Sequence, residues 1–403
     1  MHSPPTPPAL PPATAPQLAA RPQPPAGRKF PCPGCGAQLD FDPSSGALKC
    51  PYCAYLEKID PASSAVTERD WNDYWQNAEG HATQIEGRSS EVRCGQCGAV
   101  SLLQDQVVMD ACPYCGADLE NKPEQAQAMI LPEGILPFKI SHDVATATFN
   151  TWVGKLWFAP GDLKSFAAIG RFSGAYIPFW TYDSMTFTHY TGERGDNYQE
   201  TETYYDTETY YETDANGQQV PRTRQVAKTR IVTKIRWWPV SGNVSHFFDD
   251  VLICASKSMP PKLIDQLEPW DLKNLEPFQP AFLSGFQAER YTLGLKEGFD
   301  KARGIMDGAI RGLCCRDIGG DHQRLASVNT QHTAITFKHV LQPVWMAAYR
   351  YRGKTYRILV NARTGELVGT RPWSFGKVFA FVLGVIATIA LIALIIAAAK
   401  GFQ

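Results

Sequence analysis

The chain has 403 residues and a formal net charge of −1, with 44% hydrophobic and 20% charged side chains. At about 100–200 residues per domain that length holds more than one unit, and the average composition is that of a folded globular protein. The near-neutral balance removes the strongly basic background of an electrostatic nucleic-acid binder, and nothing near Met1 has the charged-then-apolar profile of a secretory signal.

The first 27 residues carry ten prolines and almost no large apolar side chains. Such a segment buries too little surface to offset its ordering entropy, so residues 1–28 are expected to be a disordered Pro-rich tail. Its PxxP patterns suit a partner domain, but a solvated tail is the plainer reading.

Two cysteine clusters follow. Cys32 and Cys35 are answered by Cys50 and Cys53, and Cys94 and Cys97 by Cys112 and Cys115, with 14 residues between the inner cysteines in each set. Each CxxC folds as a tight turn aiming both sulfurs at one ion. Gly36, Gly98 and Gly116 stand just after the second cysteine of three turns, where glycine easily accommodates a left-handed conformation. Two such turns make a closed site of four thiolates, a zinc ribbon, with no position left open for an activated water. The expectation is therefore two structural Zn2+ ions, in ribbons at 29–60 and 91–120, separated by a linker at 61–90 and followed by another at 121–135. An iron–sulfur cluster draws on the same thiolates. A redox CxxC requires a thioredoxin-like setting that four paired turns do not supply. The intervening residues allow a short strand, such as Ala47–Lys49 or 107–109. Between the ribbons, Thr67 and Asp70 form a capping signature for a short helix through Trp71, Tyr74 and Trp75, expected to pack on a ribbon. Cys254, Cys314 and Cys315 have no ligand spacing and read as free thiols.

Residues 136–373 read as a β-rich α+β body. Helical spacing runs from His142 to Phe158, a short helix is expected at 161–169, and Tyr176 to Thr188 reads as a strand. From Glu200 to Trp238 a long charged β-hairpin is predicted. Its first strand puts Glu200, Glu202, Asp206, Glu208 and Glu212 on its even face; its second puts Arg222, Arg224, Lys228, Arg230, Lys234 and Arg236 on the matching face. For those faces to coincide, paired residue numbers must sum to an even value, which requires a three- or five-residue loop or a bulge around Asn216-Gly217. Opposed charges across such a ladder contribute roughly 0.2–1 kcal/mol each, so the basic strand is neutralised at home and is a poor nucleic-acid stripe.

Leu295, Phe299, Ala302, Met306, Ile310 and Leu313 mark an amphipathic helix. Gly304, Gly308 and Gly312 form a row on it that allows close approach of another element. Strands are predicted at 332–340, 344–351 and 355–361, with a turn at Gly353 and another over Asn361–Gly365. The last element is an expected transmembrane helix, 375–400, whose core Val378–Ala399 contains Thr388 as its only polar side chain. At ~1.5 Å per residue its 22 residues span about 33 Å, enough for the ~30 Å hydrocarbon core of a membrane. Lys377 and Lys400 bracket it. Arg363, Arg371 and Lys377 precede it against Lys400 after it, which predicts a single-pass protein of the cytoplasmic membrane with its N-terminal bulk in the cytoplasm. Ala380, Gly384 and Thr388 repeat every four residues in it, a weak pairing signal.

No catalytic motif appears: Gly353-Lys354-Thr355 lacks the first glycine of a phosphate loop and sits in a hairpin pattern, and the histidines are dispersed. The chain resembles a family of bacterial membrane-anchored double zinc-ribbon proteins from about Phe30 to Lys377. The resemblance is carried by the CPxCG-like turns, LWFAPGDLK from Leu156, YIPFWTYD from Tyr176, VSGNVSHFFDDVLICAS from Val240 and LVNARTGELVGTRPWS before the apolar run. Members often bear a label tying them to the primosomal helicase N-prime, but the ATPase motifs such a label requires are missing here. The resemblance implies association with flotillin-like (SPFH) and phage-shock-A-type membrane proteins. The resulting expectation is a non-catalytic adapter that binds lipid through its last helix and recruits protein partners; the alternative is a membrane-associated nucleic-acid-binding ribbon protein.

Overall fold

The computed structural model describes residues 30–62, 65–76, 90–103, 112, 114, 117, 124–125, 129–160, 172–213, 215–351 and 354–400. The expected helix at 161–169, the strand at 107–109 and the Pro-rich tail lie outside them.

The protein is α+β and mostly strand. The first ribbon holds β1 (Asp40–Asp42), β2 (Ala47–Lys49) and β3 (Leu56–Glu57), a small sheet of their own. Next come β4 (Arg69–Asp70), α1 (Trp71–Gln76), and β5 (Ser90–Arg93), β6 (Val100–Leu103) and β7 (Glu124–Gln125) about the second ribbon. The body contains β8 (Gly134–Ile135), α2 (His142–Gly154), β9 (Ser173–Thr213), β10 (Gln219–Cys254), α3 (Pro261–Asp265), β11 (Glu276–Pro277), β12 (Gln287–Glu289), α4 (Leu295–Ile318), β13 (His322–Tyr351), β14 (Lys354–Asn361) and β15 (Leu367–Gly369), and α5 (Phe375–Lys400) closes the chain. Among the described residues, β4 to β15 form one twelve-stranded sheet.

Its axis is β9, 41 residues long and antiparallel to β10 on one edge and β13 on the other. The side-chain environment changes in three steps along it. Ala175 to Ser184 are buried without interruption, the signature of a strand covered on both faces. From Met185 to Gly192 burial alternates, with one face covered. Beyond Gly195, where β13 ends, nearly every residue is half-buried or exposed.

The covered faces explain which sequence patterns were decisive. On one face Trp180 donates from Nε1 to the Leu293 carbonyl (2.9 Å) and Tyr182 from its hydroxyl to the Leu295 carbonyl (2.6 Å), fastening the strand to the start of α4. The buried stripe of α4 is Leu295, Phe299, Ala302, Met306 and Ile310, as its spacing predicts, but it continues through Cys314 and Ile318 and leaves the expected Leu313 half-buried. On the other face Ile177 and Phe179 meet Leu263, Leu267 and Trp270.

The long hairpin forms in the predicted phase. Thr213 pairs with Gln219, leaving a five-residue loop, and every pair from there to Ser184–Phe248 has an even sum. The two strands run on past the end of β13 as a free two-stranded arm, Asp196–Thr213 against Gln219–Arg236. At ~3.3 Å per residue it is about 60 Å long. Its expected charge ladder is present: Arg222–Glu212 (2.6 Å), Lys228–Asp206 (2.9 Å), Arg230–Glu202 (2.8 Å) and Lys234–Glu200 (2.9 Å).

Three expectations need correction. The two strands predicted at 332–340 and 344–351 are one, β13, which also starts ten residues earlier at His322. Proline is tolerated at 343 because the β8 pairing covers only Val340 and Leu341 and the β14 pairing begins at Val344, so no ladder partner on that edge claims the missing N–H. Helix α1 packs on the body and not on a ribbon. Asp70 caps it, accepting from the N–H groups of Asn72 and Asp73, and β4 is paired to β13, which holds Trp71 4.8 Å from Phe299 and Tyr74 5.3 Å from Phe337, centroid to centroid. Among the described residues no element lies against the glycine row of α4: a Cβ at Gly304, Gly308 or Gly312 would meet nothing within 4 Å.

Glycines on one helix are therefore expected to respond in opposite directions. A Cβ at Gly298 would sit 2.3 Å from the Tyr182 hydroxyl and 3.0 Å from Trp180. Gly298→Ala should destabilise by ~1–3 kcal/mol through overpacking, whereas Gly304→Ala and Gly308→Ala should each stabilise by up to ~1 kcal/mol through helix propensity. Thermal melts of the three variants check this; a stabilised Gly298→Ala would contradict the packing described.

Candidate metal centres

Each CxxC turn is built by the same backbone bonds. The N–H of the leading cysteine donates to the carbonyl five residues on: Cys32 to Ala37, Cys50 to Tyr55, Cys94 to Ala99 and Cys112 to Ala117, at 2.6–2.8 Å. In the described turns the residue after the second cysteine closes back to the first: Gly36 to Cys32, Ala54 to Cys50, Gly98 to Cys94. That closure requires a positive φ, and it is +70° at Gly36, +75° at Gly98 and +59° at Ala54.

The sulfurs of Cys32, Cys35, Cys50 and Cys53 all lie within 4.8 Å of one another, as do those of Cys94, Cys97 and Cys112. The closest approaches are 3.5 Å for Cys32–Cys53 and for Cys35–Cys50, and 3.7 Å for Cys97–Cys112. Four thiolates at ~2.3 Å from a zinc ion stand about 3.8 Å apart, whereas a disulfide needs about 2.05 Å. Both clusters therefore fit zinc ribbons with reduced ligands. Cys115, the expected fourth ligand of the second, lies outside the described residues. Within the first, the Cys50 thiol is drawn down to about 6, chiefly by the N–H of Cys53.

Both ribbons are packed into the body. Leu39, Phe41 and Leu48 share a core with Phe138, Phe149, Phe282 and Trp345, and Ser284 clasps β1 by donating its hydroxyl to the Leu39 carbonyl (2.5 Å) while its own carbonyl accepts from Phe41 N–H. In the second ribbon β6 pairs with β12, and β12 with β9 in parallel, so the ribbon is an extension of the main sheet. Arg357 donates from Nε to the Tyr114 carbonyl (2.9 Å), tying the Cys112 turn to β14. Clefts of about 420 and 480 Å³ flank the first ribbon; Lys139, Glu276 and Arg363 line one, and Lys49, His142 and Asp143 the other.

Two titratable groupings were not legible beforehand. Asp183, Asp249 and Asp250 gather where β10 and β13 both bulge against β9. The Lys338 ammonium already sits among them, 2.7 Å from Asp250 and 3.0 Å from Glu68, while Asp183 accepts from the Asp250 N–H and the Thr336 hydroxyl. Burial pushes Asp183 up to about 6. Beside the second ribbon, buried Glu289 accepts from Ser256 (2.6 Å) and Ser258 (2.7 Å), and burial raises it to about 7. Bulges and cross-strand neighbours bring these residues together, and neither leaves a short-range sequence signal.

The root of α5 is anchored to the body. Ser374 N–H donates to the Phe158 carbonyl, Lys377 reaches the Ala159 carbonyl (2.8 Å), and Arg371 lies over the Trp373 ring. Trp157 beside them is 83% exposed. Within α5, Phe375–Ala393 is long and apolar enough to cross a membrane, with none of it buried in the protein.

Ala54 is the one described turn residue whose side chain opposes its backbone. A left-handed residue costs an L-amino acid ~1–2 kcal/mol, and glycine removes that at an entropic cost of ~0.5–1 kcal/mol. Ala54→Gly should therefore raise stability modestly, read as a higher melting temperature and slower metal loss to a chelator; a lower melting temperature would refute the strain.

No family model matches the chain. It is 28% identical over 270 residues to an uncharacterized protein, YdjG, of Bacillus subtilis (strain 168), an alignment that covers 64% of this chain and 68% of that one.

Proposed function

We propose that the protein is a non-catalytic, membrane-tethered zinc-ribbon adapter that carries two structural Zn2+ ions and recruits protein partners to the cytoplasmic membrane. Its bulk lies on the cytoplasmic side, a reading supported by Arg363, Arg371 and Lys377 before the apolar helix against Lys400 after it. The observation that carries the adapter reading is the outer surface of the first ribbon. Its second turn is held by a closed thiolate set and presents Tyr52, Tyr55 and Leu56 at 61%, 40% and 52% exposure. A rigid, metal-fixed turn with aromatic and aliphatic tips suits a protein contact better than a nucleic-acid one. The basic strand of the arm supports the same choice, because its cations are engaged by the facing acids. The family resemblance points to SPFH/flotillin-like or phage-shock-A-type proteins as partners.

Full-length protein purified in mild detergent should contain two zinc equivalents, falling to one in Cys94→Ser. Affinity purification should recover an SPFH-type or phage-shock-A-type partner, and Tyr55→Asp with Leu56→Asp should abolish that recovery at unchanged zinc content. Iron in place of zinc would overturn the metal assignment. Recovery of lipid and RNA alone, or a partner indifferent to the double substitution, would overturn the adapter.

A further inference from the structure

The arm is built from two sets of hexads. On β9 they read DNYQET, ETYYDT and ETYYET over 196–213; on β10 they read QVPRTR, QVAKTR and IVTKIR over 219–236. The register sets them in phase, hexad against hexad: 208–213 faces 219–224, 202–207 faces 225–230, and 196–201 faces 231–236. Each acid that opens a β9 hexad, Asp196, Glu202 and Glu208, lies opposite the closing arginine of a β10 hexad.

The signs are completely segregated. The arm portion of β9 holds six acids and no base, and that of β10 six bases and no acid. Pairing within one arm requires only that facing residues be opposite, which any mixture of signs on each strand would satisfy. Segregation does something more: it gives the ribbon one acidic long edge and one basic long edge. Both are open. Among the described residues, β9 beyond Gly195 pairs with no strand but β10, with Asp321 accepting from the Asn197 N–H at the base of the arm, and β10 pairs with nothing but β9. An open strand edge is a template for another strand, and a solitary two-stranded ribbon is only marginally stable in water.

We propose that the arm is a self-association element: the acidic edge of β9 in one copy pairs antiparallel with the basic edge of β10 in a second copy of this chain. The join repeats the pairing already made inside the arm, with the same hexads and the same opposed charges. Direction favours it. Phe172, just before β9, shares a core with Ala159, whose carbonyl accepts from Lys377 at the root of α5, so copies tethered in one membrane would hold their arms pointing the same way. A β9 and a neighbouring β10 then run in opposite directions, as they do in the hairpin. That alignment rests on the membrane anchoring proposed above; the complementarity of the edges does not.

Thr203 and Thr229 face each other within one arm, and both are exposed. Full-length Thr203→Cys and full-length Thr229→Cys, mixed in detergent and mildly oxidised, should give a 203–229 cross-link between copies, mapped by mass spectrometry. It should exceed the cross-linking of either variant alone several-fold and fall with added salt, which screens the edge charges. Replacing residues 196–236 by an Asn-Gly turn should lower the assembly mass in light scattering while zinc content is kept. A dominant 203–203 cross-link would mean that arms pack face to face, and would overturn the proposal. So would a mixture no more cross-linked than its components, an arm-deleted chain of unchanged assembly mass, or an edge occupied by a different polypeptide. A chain that is monomeric yet still zinc-loaded and membrane-bound would sink the pairing and leave the adapter reading intact.

Discussion

The backbone ladder of β9 is the interaction on which the rest of the molecule depends. From Phe179 to Gly195 its two edges are paired to β10 and to β13, and at Ala175 and Tyr176 β12 takes the place of β10; a strand satisfied on both edges can be covered on both faces without orphaning polar groups. Three core clusters form around it: the first ribbon with α2, the second ribbon with α3, and α4 with α1. Each reaches β9 through different side chains, Tyr176 in the first, Ile177 and Phe179 in the second, Trp180 and Tyr182 in the third. A period of two along one strand thus sorts consecutive residues into different cores.

This arrangement changes what the metal sites mean mechanically. An isolated ribbon depends on its ion to fold. Here the hairpin between the first pair of turns is also held by Phe41, Leu48 and the Ser284 clasp, and the second ribbon is continuous with the main sheet through β6, β12 and β9. The thiolates fix the turns, and the body fixes where the turns point. Tyr52, Tyr55 and Leu56 therefore stand at a defined position relative to the anchored root of α5, which a ribbon on a flexible linker would not achieve.

Short-range features were legible in the sequence. The cysteine spacing located both clusters, the apolar stripe located α4, and parity required an odd-length loop or a bulge in the long hairpin, of which the loop is the one that forms. What escaped was set by partners distant in sequence. Nothing local shows that β13 continues through Pro343, because the tolerance comes from where β8 stops and β14 begins. Trp71 and Tyr74 carry helical spacing but no indication of the surface they cover; that is decided by two backbone pairs between β4 and β13. The gathering of Asp183, Asp250 and Lys338 depends on bulges in two strands at the same level, and the left-handed Asp250 (φ +51°) and Ala334 (φ +47°) are ordinary residues to a sequence reader. The glycine row of α4 misled for the opposite reason: a helical repeat states which residues share a face, not whether anything lies against it.

The division of burial along β9 also divides the tasks of the chain. Stability is concentrated where both faces are covered, which is where the ribbons attach. The arm adds little to it, since its ion pairs are exposed and worth at most ~1 kcal/mol each, and its cation–π contacts, Arg236 over Tyr198 and Arg230 over Tyr204, are equally solvent-facing. A free hairpin about 60 Å long is therefore not there to hold the body together. Its repeated, charge-segregated sequence is specific well beyond what solubility requires, and a solvent-exposed element with more order than its own folding needs is ordered toward something outside the molecule.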